Sequence, residues 1–237
     1  MTLPEPPPPI KPRRWGLWAP FVALALGVLA VSANWFWQAD RLKHGMLGIQ
    51  SGLDRADWTL AWRHREIAGF PFRLFVTLQD ATLGDHAGLT VTAPILKAEA
   101  SAFAPGVWVI LAPRGGAFSR PEGGAVRVTG EGLRLSLSHS QSHPPSLSAE
   151  GFNLTFSTSP ADPPFDLAVI REFHFHTKAG PSDQGAVYLS FDGFDRSGHA
   201  IHSILDGVFT HASAITLSPR PDLRAWKAAG GQFTARP

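Results

Sequence analysis

An uncharged segment near the N-terminus, residues 15–37, constrains the fold of this chain more than any other feature. At about 1.5 Å per residue, a helix of this length extends roughly 35 Å, enough to cross the hydrocarbon core of a bilayer. Tryptophans lie near both of its ends, as in the aromatic belts of membrane-spanning helices. The segment predicts a transmembrane helix that acts as a signal anchor, and its uniform apolarity disfavours a buried core helix.

The residues that flank this segment predict its orientation. Lys11, Arg13 and Arg14 precede it, so the positive-inside rule places the N-terminus in the cytoplasm. Residues 1–14 are rich in proline and are expected to form a disordered cytoplasmic tail. This predicts a single-pass protein of the inner membrane with a periplasmic main domain. A signal peptide cleaved after small residues at 31–33 is the alternative, and it also exports the domain.

Beyond the anchor, the pattern changes from helical to extended. Residues 38–56 carry Leu42, Met46 and Ile49 at helical spacing and are expected to form a helical connector. Residues 57–237 then alternate between apolar and polar side chains, which predicts an exported, mainly β domain. We expect a curved antiparallel sheet, as a meander, sandwich or open barrel, followed by a short C-terminal helix from Pro221. The alternating runs lie at 58–63, 72–79, 89–95, 126–128, 133–137, 152–156, 173–175 and 187–191.

Composition and motifs exclude several classes of function. The chain has no cysteine, so it has no disulfide, no thiol nucleophile and no cysteine-ligated metal. The net charge is +2 without a basic stripe, so no nucleic-acid partner is predicted. G-x-S-x-G, H-E-x-x-H and phosphate-binding glycine loops are absent, so we predict no catalytic residue and no cofactor. An enzyme of unrecognised type stays open as an alternative.

Two polar clusters are weighed as metal sites. His174 and His176 project from one face of a strand, but no carboxylate ligand follows at a fixed spacing. The acidic turn at 192–198 does not match a calcium loop. Both are interpreted as polar strand and turn residues, and no metal site is predicted.

The stretch "GFPFR" at residues 69–73 separates two predicted strands. Gly69 permits an unusual dihedral angle, and Pro71 fixes its own φ and keeps Phe70 extended. The stretch is therefore interpreted as the corner of the first hairpin. Arg73 lies on the polar face of the following strand, where it is either a surface arginine or a group that binds the anionic part of a lipid or glycan.

The corner and a second stretch near the end, "AWKAAGG" at 225–231, together resemble the bacterial envelope family of domain of unknown function 2125 (DUF2125). The resemblance extends from Trp35 onward. The family has no assigned activity, so it implies no catalytic residue. Family members typically continue with further strands, so the chain is expected to be a shortened member or a piece of a longer one.

The one-faced strands suggest a function. In style they are similar to AsmA-like envelope proteins, a likeness that implies an apolar groove for lipid. We therefore predict that the apolar face either packs as an ordinary core or binds a lipid chain, with the membrane, and in the second case a lipid, as partners. The alternative is an envelope scaffold whose sheet edge pairs with a protein partner not identified by the sequence. The candidate ligand-binding residues are Arg73, Trp58, Trp62, Phe72, Leu74, Phe156, Phe173 and Phe175.

Overall fold

A computed structural model of the chain describes residues 15–85, 87–121, 123–138, 145–215 and 223–236. Within these residues the chain forms a long helix, α1 (Trp15–Asp54), one antiparallel sheet and a short helix, α2 (Leu223–Ala228). The predicted fold class is confirmed: the protein is mainly β, and its sheet is not a closed barrel. The predicted tail at 1–14 lies outside the described residues.

The sheet contains twelve described strands, and neighbours along the chain are mostly neighbours in the sheet. In chain order they are β1 (Trp58–Ala61), β2 (His64–Ala68), β3 (Arg73–Asp85), β4 (Thr90–Ser101), β5 (Ala104–Leu111), β6 (Gly116–Arg120), β7 (Gly124–Ser138), β8 (Ser146–Thr158), β9 (Leu167–Ala179), β10 (Gln184–Asp195), β11 (Ala200–Thr210) and β12 (Phe233–Ala235). β1 and β2 both pair with β3, while β5 and β6 follow one another in the space between β4 and β7. This is a meander in which two rows each contain two successive strands, β1 with β2 and β5 with β6.

Helix α1 runs without interruption through the region expected to be a separate connector. Its N-terminal half is exposed, and the helix is long and apolar enough to cross a membrane. Gly45, Gly48 and Gly52 lie within its C-terminal half, where each costs about 1 kcal/mol of helix propensity. Packing of this half against the sheet offsets that cost. The spacing of apolar residues in the sequence did not predict this packing.

The C-terminal half of α1 covers part of one face of the sheet. Trp35 and Ala39 pack with Leu74 of β3 in a buried cluster. One turn further on, Leu42 and Met46 pack on a second cluster, which includes Val76, Leu78 and Ala81. We call this face, which also carries Trp108, the inner face.

Polar side chains of α1 fix its position. Asn34 Nδ2 donates to the carbonyl oxygen of Ala102 at 3.1 Å, and Trp35 Nε1 donates to that of Arg73 at 2.7 Å. Near the other end, Gln50 Nε2 donates to Leu60 O at 2.9 Å. Because these bonds join the helix to two strands and to the turn between β4 and β5, they set its height along the sheet as well as its distance from it.

A row of irregularities crosses the sheet at one level, and we call it the crease: Asp80, residues 112–115, residues 130–132, Asn153 and Arg171. Asp80 and Asn153 have positive φ, and an extra residue in β9 shifts its register with β10. At each point the side-chain alternation changes phase, so β7 directs Val128 and then Leu133 to the inner face. Bulges bend strands and increase their twist, so the sheet curves about the crease.

Candidate apolar groove

A groove of about 620 Å³ lies on the inner face along the crease. Its lining is almost entirely aliphatic and aromatic, with Thr92 and Arg134 as the polar exceptions. Arg134 lies between Leu133 and Leu135, so strand alternation directs its side chain to the opposite face. The principal apolar lining residues are Leu89, Val91, Ala93, Leu96, Ile110, Phe118, Val128, Leu133, Leu135, Ala149, Leu154, Phe156, Ile170 and Phe173.

Curvature of the sheet forms the groove. The lining residues come from β4 to β9, which occupy five rows of the sheet because β5 and β6 share one row. Rows spaced about 4.8 Å apart would span roughly 19 Å if the sheet were flat. They line one cavity because the sheet bends at the crease, whose irregular residues separate β5 from β6 and interrupt β7, β8 and β9. Gly115 shows how tight that bend is: it has φ +64°, and a Cβ there would collide with the carbonyl oxygen of Val128.

Aromatic residues close one end of the groove. Phe165, in the loop between β8 and β9, has its ring centroid 5.4 Å from those of both Phe118 and Phe156. Arg120 lies over the Phe165 ring at 5.5 Å and donates to Pro163 O at 2.8 Å. This cation–π contact and hydrogen bond hold the loop against the end of β6.

The groove adjoins the part of the inner face that α1 covers. Leu96 lines the groove and also packs with the cluster of Val76, Leu78 and Ala81 beneath the helix. The apolar inner face therefore has two parts. One is covered by α1 as an ordinary core, and the other remains an open groove in the part of the chain that the structure describes.

The predicted ligand-binding residues divide between these parts and the outside. Phe156 and Phe173 line the groove. Phe175 pairs with Ala149 and lies on the same face, but it is not among the lining residues. Of the strands that contain candidate ligand-binding residues, only β8 and β9 line the groove.

The four aromatic and aliphatic candidates nearer the N-terminus lie elsewhere. Trp58 and Leu74 are buried, with 4% and 1% of their surfaces exposed. Trp62 packs on the cluster beneath α1. Phe72 is 62% exposed at the end of the sheet where α1 leaves it. The groove and these four residues therefore do not form one site.

Arg73 contacts protein groups on both its main chain and its side chain. Its carbonyl oxygen accepts the Trp35 indole hydrogen, and its guanidinium forms a surface ion pair with Glu99. The side chain is 63% exposed, so this pair is screened by water and adds little to stability. Binding of an anion by Arg73 stays a prediction.

Sequence reasoning missed most of the groove lining on β4 to β6. Val91 and Ala93 were visible as strand residues, but nothing marked them as neighbours of Phe173. A signal was present in the change of phase from Val128 to Leu133, separated by two glycines. A phase change across glycines indicates a bulge, and bulges at matching positions on successive strands indicate a bent sheet.

The polar outer face carries His174 and His176. His174 stacks on His176 with ring centroids 6.2 Å apart, and His174 Nε2 lies 2.7 Å from Glu172 Oε1. Among the described residues no group of three side chains is placed to hold a metal ion.

In the turn after β10, the backbone N–H of His199 donates to Asp195 and lowers the pKa of that carboxyl below 3.8.

The stretch at 225–231 has a structural role. Trp226 Nε1 donates to Thr210 O at 2.7 Å, and the backbone of Gly231 passes directly over the indole. A side chain at Gly231 would collide with that ring. The contact fixes α2 beside the end of β11 and brings β12 into the sheet.

Comparison with protein families adds one match. The family DUF2125, described as an uncharacterized protein conserved in bacteria, matches residues 35–236. The match begins at Trp35, a residue of α1 that is buried against the sheet. Searches of the curated proteins and of the solved structures found no significant match.

Proposed function

We propose that this chain, which belongs to the DUF2125 family, is a membrane-anchored envelope protein that holds the acyl chain of a lipid in its groove. The open apolar groove carries this proposal. Its volume of about 620 Å³ lies within the roughly 300–1,000 Å³ that is usual for small-molecule sites. It equals about twenty water-sized volumes of 30 Å³, enough for a chain of fatty-acid length.

The exposed part of α1 is the proposed anchor. With Lys11, Arg13 and Arg14 on its N-terminal side, it would cross the inner membrane and leave the sheet in the periplasm. A lipid acyl chain is then available at the surface from which the domain emerges. Leu96 lines the groove and also packs on the cluster that α1 covers, so the anchor helix and the groove adjoin the same cluster.

The lining supports binding rather than catalysis. Among the described residues it offers no carboxylate, imidazole or thiol to the groove, and its polar members are Thr92 and Arg134. Such a surface recognises a chain of methylenes and leaves the headgroup outside. Each methylene moved from water into the groove is stabilised by about 0.8 kcal/mol, so several together suffice to retain a lipid.

Photocrosslinking tests the proposal. The full-length protein is placed in nanodiscs that contain a phospholipid with a diazirine in its acyl chain, irradiated, digested and mapped by mass spectrometry. We expect labelled peptides from β6 to β9 as well as from α1. Labelling confined to α1 would mean that the groove does not hold lipid.

Three variants localise the labelling to the groove. Ala149→Trp fills the groove, whereas Ser148→Trp places the same side chain on the outer face one residue away. We expect the first to lose labelling of β6 to β9 severalfold and the second to keep it. Ala93→Trp, which fills the groove from β4, should behave like Ala149→Trp. Equal labelling in all three variants would refute the site.

A second candidate function is a scaffold that binds a protein at a sheet edge. β12 pairs only with Gly207, Val208 and Phe209, so the start of β11 has no paired strand on that side among the described residues. Ile204, on this stretch, is 57% exposed. A photoreactive amino acid at Ile204 that crosslinks a partner protein, with no lipid found in the groove, would favour this function.

A further inference from the structure

Four phenylalanines surround the point where α1 leaves the sheet, and we call them the aromatic patch: Phe36, Phe70, Phe72 and Phe103. Each has more than half of its surface exposed. Phe70 belongs to the corner between β2 and β3, and Phe103 to the turn between β4 and β5. The surfaces of soluble proteins rarely expose apolar side chains in such clusters, so we expect the patch to contact a partner.

Ring contacts join the patch to the helix. The Phe70 ring lies 5.5 Å from that of Trp35 and 5.9 Å from that of Phe36, measured between centroids. The Phe72 and Phe103 rings are 6.3 Å apart. The four side chains therefore form two adjoining pairs rather than scattered surface residues.

Hydrogen bonds fix the height of both turns along α1. Trp35 binds the carbonyl oxygen of Arg73, and Asn34 binds that of Ala102. The two turns are also joined directly, because the N–H of Ala102 donates to Phe72 O at 3.0 Å. The patch is thus held at the level of helix residues 34–36.

That level coincides with the expected membrane boundary. A helix that enters the hydrocarbon core at residue 15 crosses about 30 Å in about 20 residues and leaves it close to Asn34. Aromatic side chains favour this zone, where an apolar ring contacts the acyl chains while charged neighbours reach water. Arg73 and Glu99 supply an exposed charged pair next to the patch.

We propose that the aromatic patch inserts into the interface of the bilayer and holds the adjacent end of the sheet, where β3 begins and β4 ends, against the membrane. This rests on the proposed anchoring by α1 but not on the groove. It gives the corner at 69–73 a second role, since the turn that joins β2 to β3 also presents Phe70 and Phe72 to lipid. The partner is the lipid surface itself, next to the helix that crosses it.

Single cysteines test the insertion, because the natural chain has none. Full-length Phe72→Cys and Phe103→Cys carry a nitroxide label in vesicles of phosphatidylcholine and phosphatidylglycerol. Ser197→Cys, exposed in the turn after β10 at the opposite end of the strands, is the water-side control. Val28→Cys, in the exposed part of α1, reports on the anchor. The collision rates with oxygen and with a soluble nickel chelate are compared by electron paramagnetic resonance.

We expect the label at Val28 to collide mainly with oxygen, the label at Ser197 mainly with nickel, and those at Phe72 and Phe103 to give intermediate values of an interface. If Val28 lies in the bilayer but Phe72 and Phe103 match Ser197, the patch does not insert, although the anchor stands. If Val28 itself collides mainly with nickel, the anchor is refuted and this inference falls with it. Since both phenylalanines are exposed, neither substitution removes core packing.

Discussion

Gly69→Ala probes the corner at 69–73 with a single added carbon. Gly69 has φ +100°, and a Cβ on it would lie 2.6 Å from both the carbonyl oxygen of Arg73 and Cδ2 of Phe75. A left-handed backbone costs an L-residue about 1–2 kcal/mol. Relief of the overpacked contacts costs roughly 1–3 kcal/mol more, because the carbonyl belongs to the backbone that also binds Trp35. We expect a total loss of about 2–5 kcal/mol.

Thermal unfolding of the full-length protein in detergent, followed by the β signal in circular dichroism, measures this loss. For a protein of this size, 1 kcal/mol shifts Tm by about 2–4 °C, so the expected fall is about 4–20 °C.

The matched control is Gly106→Ala in β5, where an added Cβ meets nothing within 4 Å and φ is not positive. It should leave Tm unchanged or raise it slightly, since alanine lowers the entropy of the unfolded chain. If the two variants unfold at the same temperature, the corner does not depend on Gly69 and the reasoning is wrong.

Two further predictions concern single hydrogen bonds. Trp35→Phe keeps an aromatic ring but removes the donor to Arg73 O, so we expect it to lose about 1–3 kcal/mol by urea denaturation. Trp18→Phe, on the exposed part of α1, should lose almost nothing, and equal losses would contradict the proposed role of the bond. A lowered pKa means that the Asp195 carboxylate stabilises the fold above its ordinary pKa and that this contribution disappears as pH falls through the folded value. Asp195→Asn should remove that acid dependence, and a carboxyl pKa at or above 3.8 by NMR titration of the parent protein would contradict it.

Much of the architecture follows from local chemistry that is legible in the sequence. An uncharged run of the length of residues 15–37 satisfies its own backbone hydrogen bonds only as a helix, so its structure needs no tertiary contact. Period-two alternation likewise predicts strands with one dry face, and the structure has them. The corner at Gly69 was predicted because its turn needs a dihedral angle that other residues resist.

The candidate site was harder to predict, because the same alternation of apolar and polar residues occurs in strands that pack beneath α1 and in strands that line the groove. Leu74 and Phe173 both belong to alternating strands, yet Leu74 is buried beneath α1 and Phe173 lines the groove. Alternation also failed within one run. Phe152 was grouped with Leu154, but the positive φ of Asn153 separates them onto opposite faces.

By itself, the sequence determined the apolar N-terminal helix, the antiparallel strands, the corner and the family resemblance that rests on two short motifs. The tertiary structure decided which part of the apolar face is core and which part is groove. That choice depends on contacts between distant segments, such as the bond from Asn34 to Ala102 that positions α1 over the first strands. It depends equally on the bulges of the crease, because a bend becomes a groove only when bulges on successive strands lie in register.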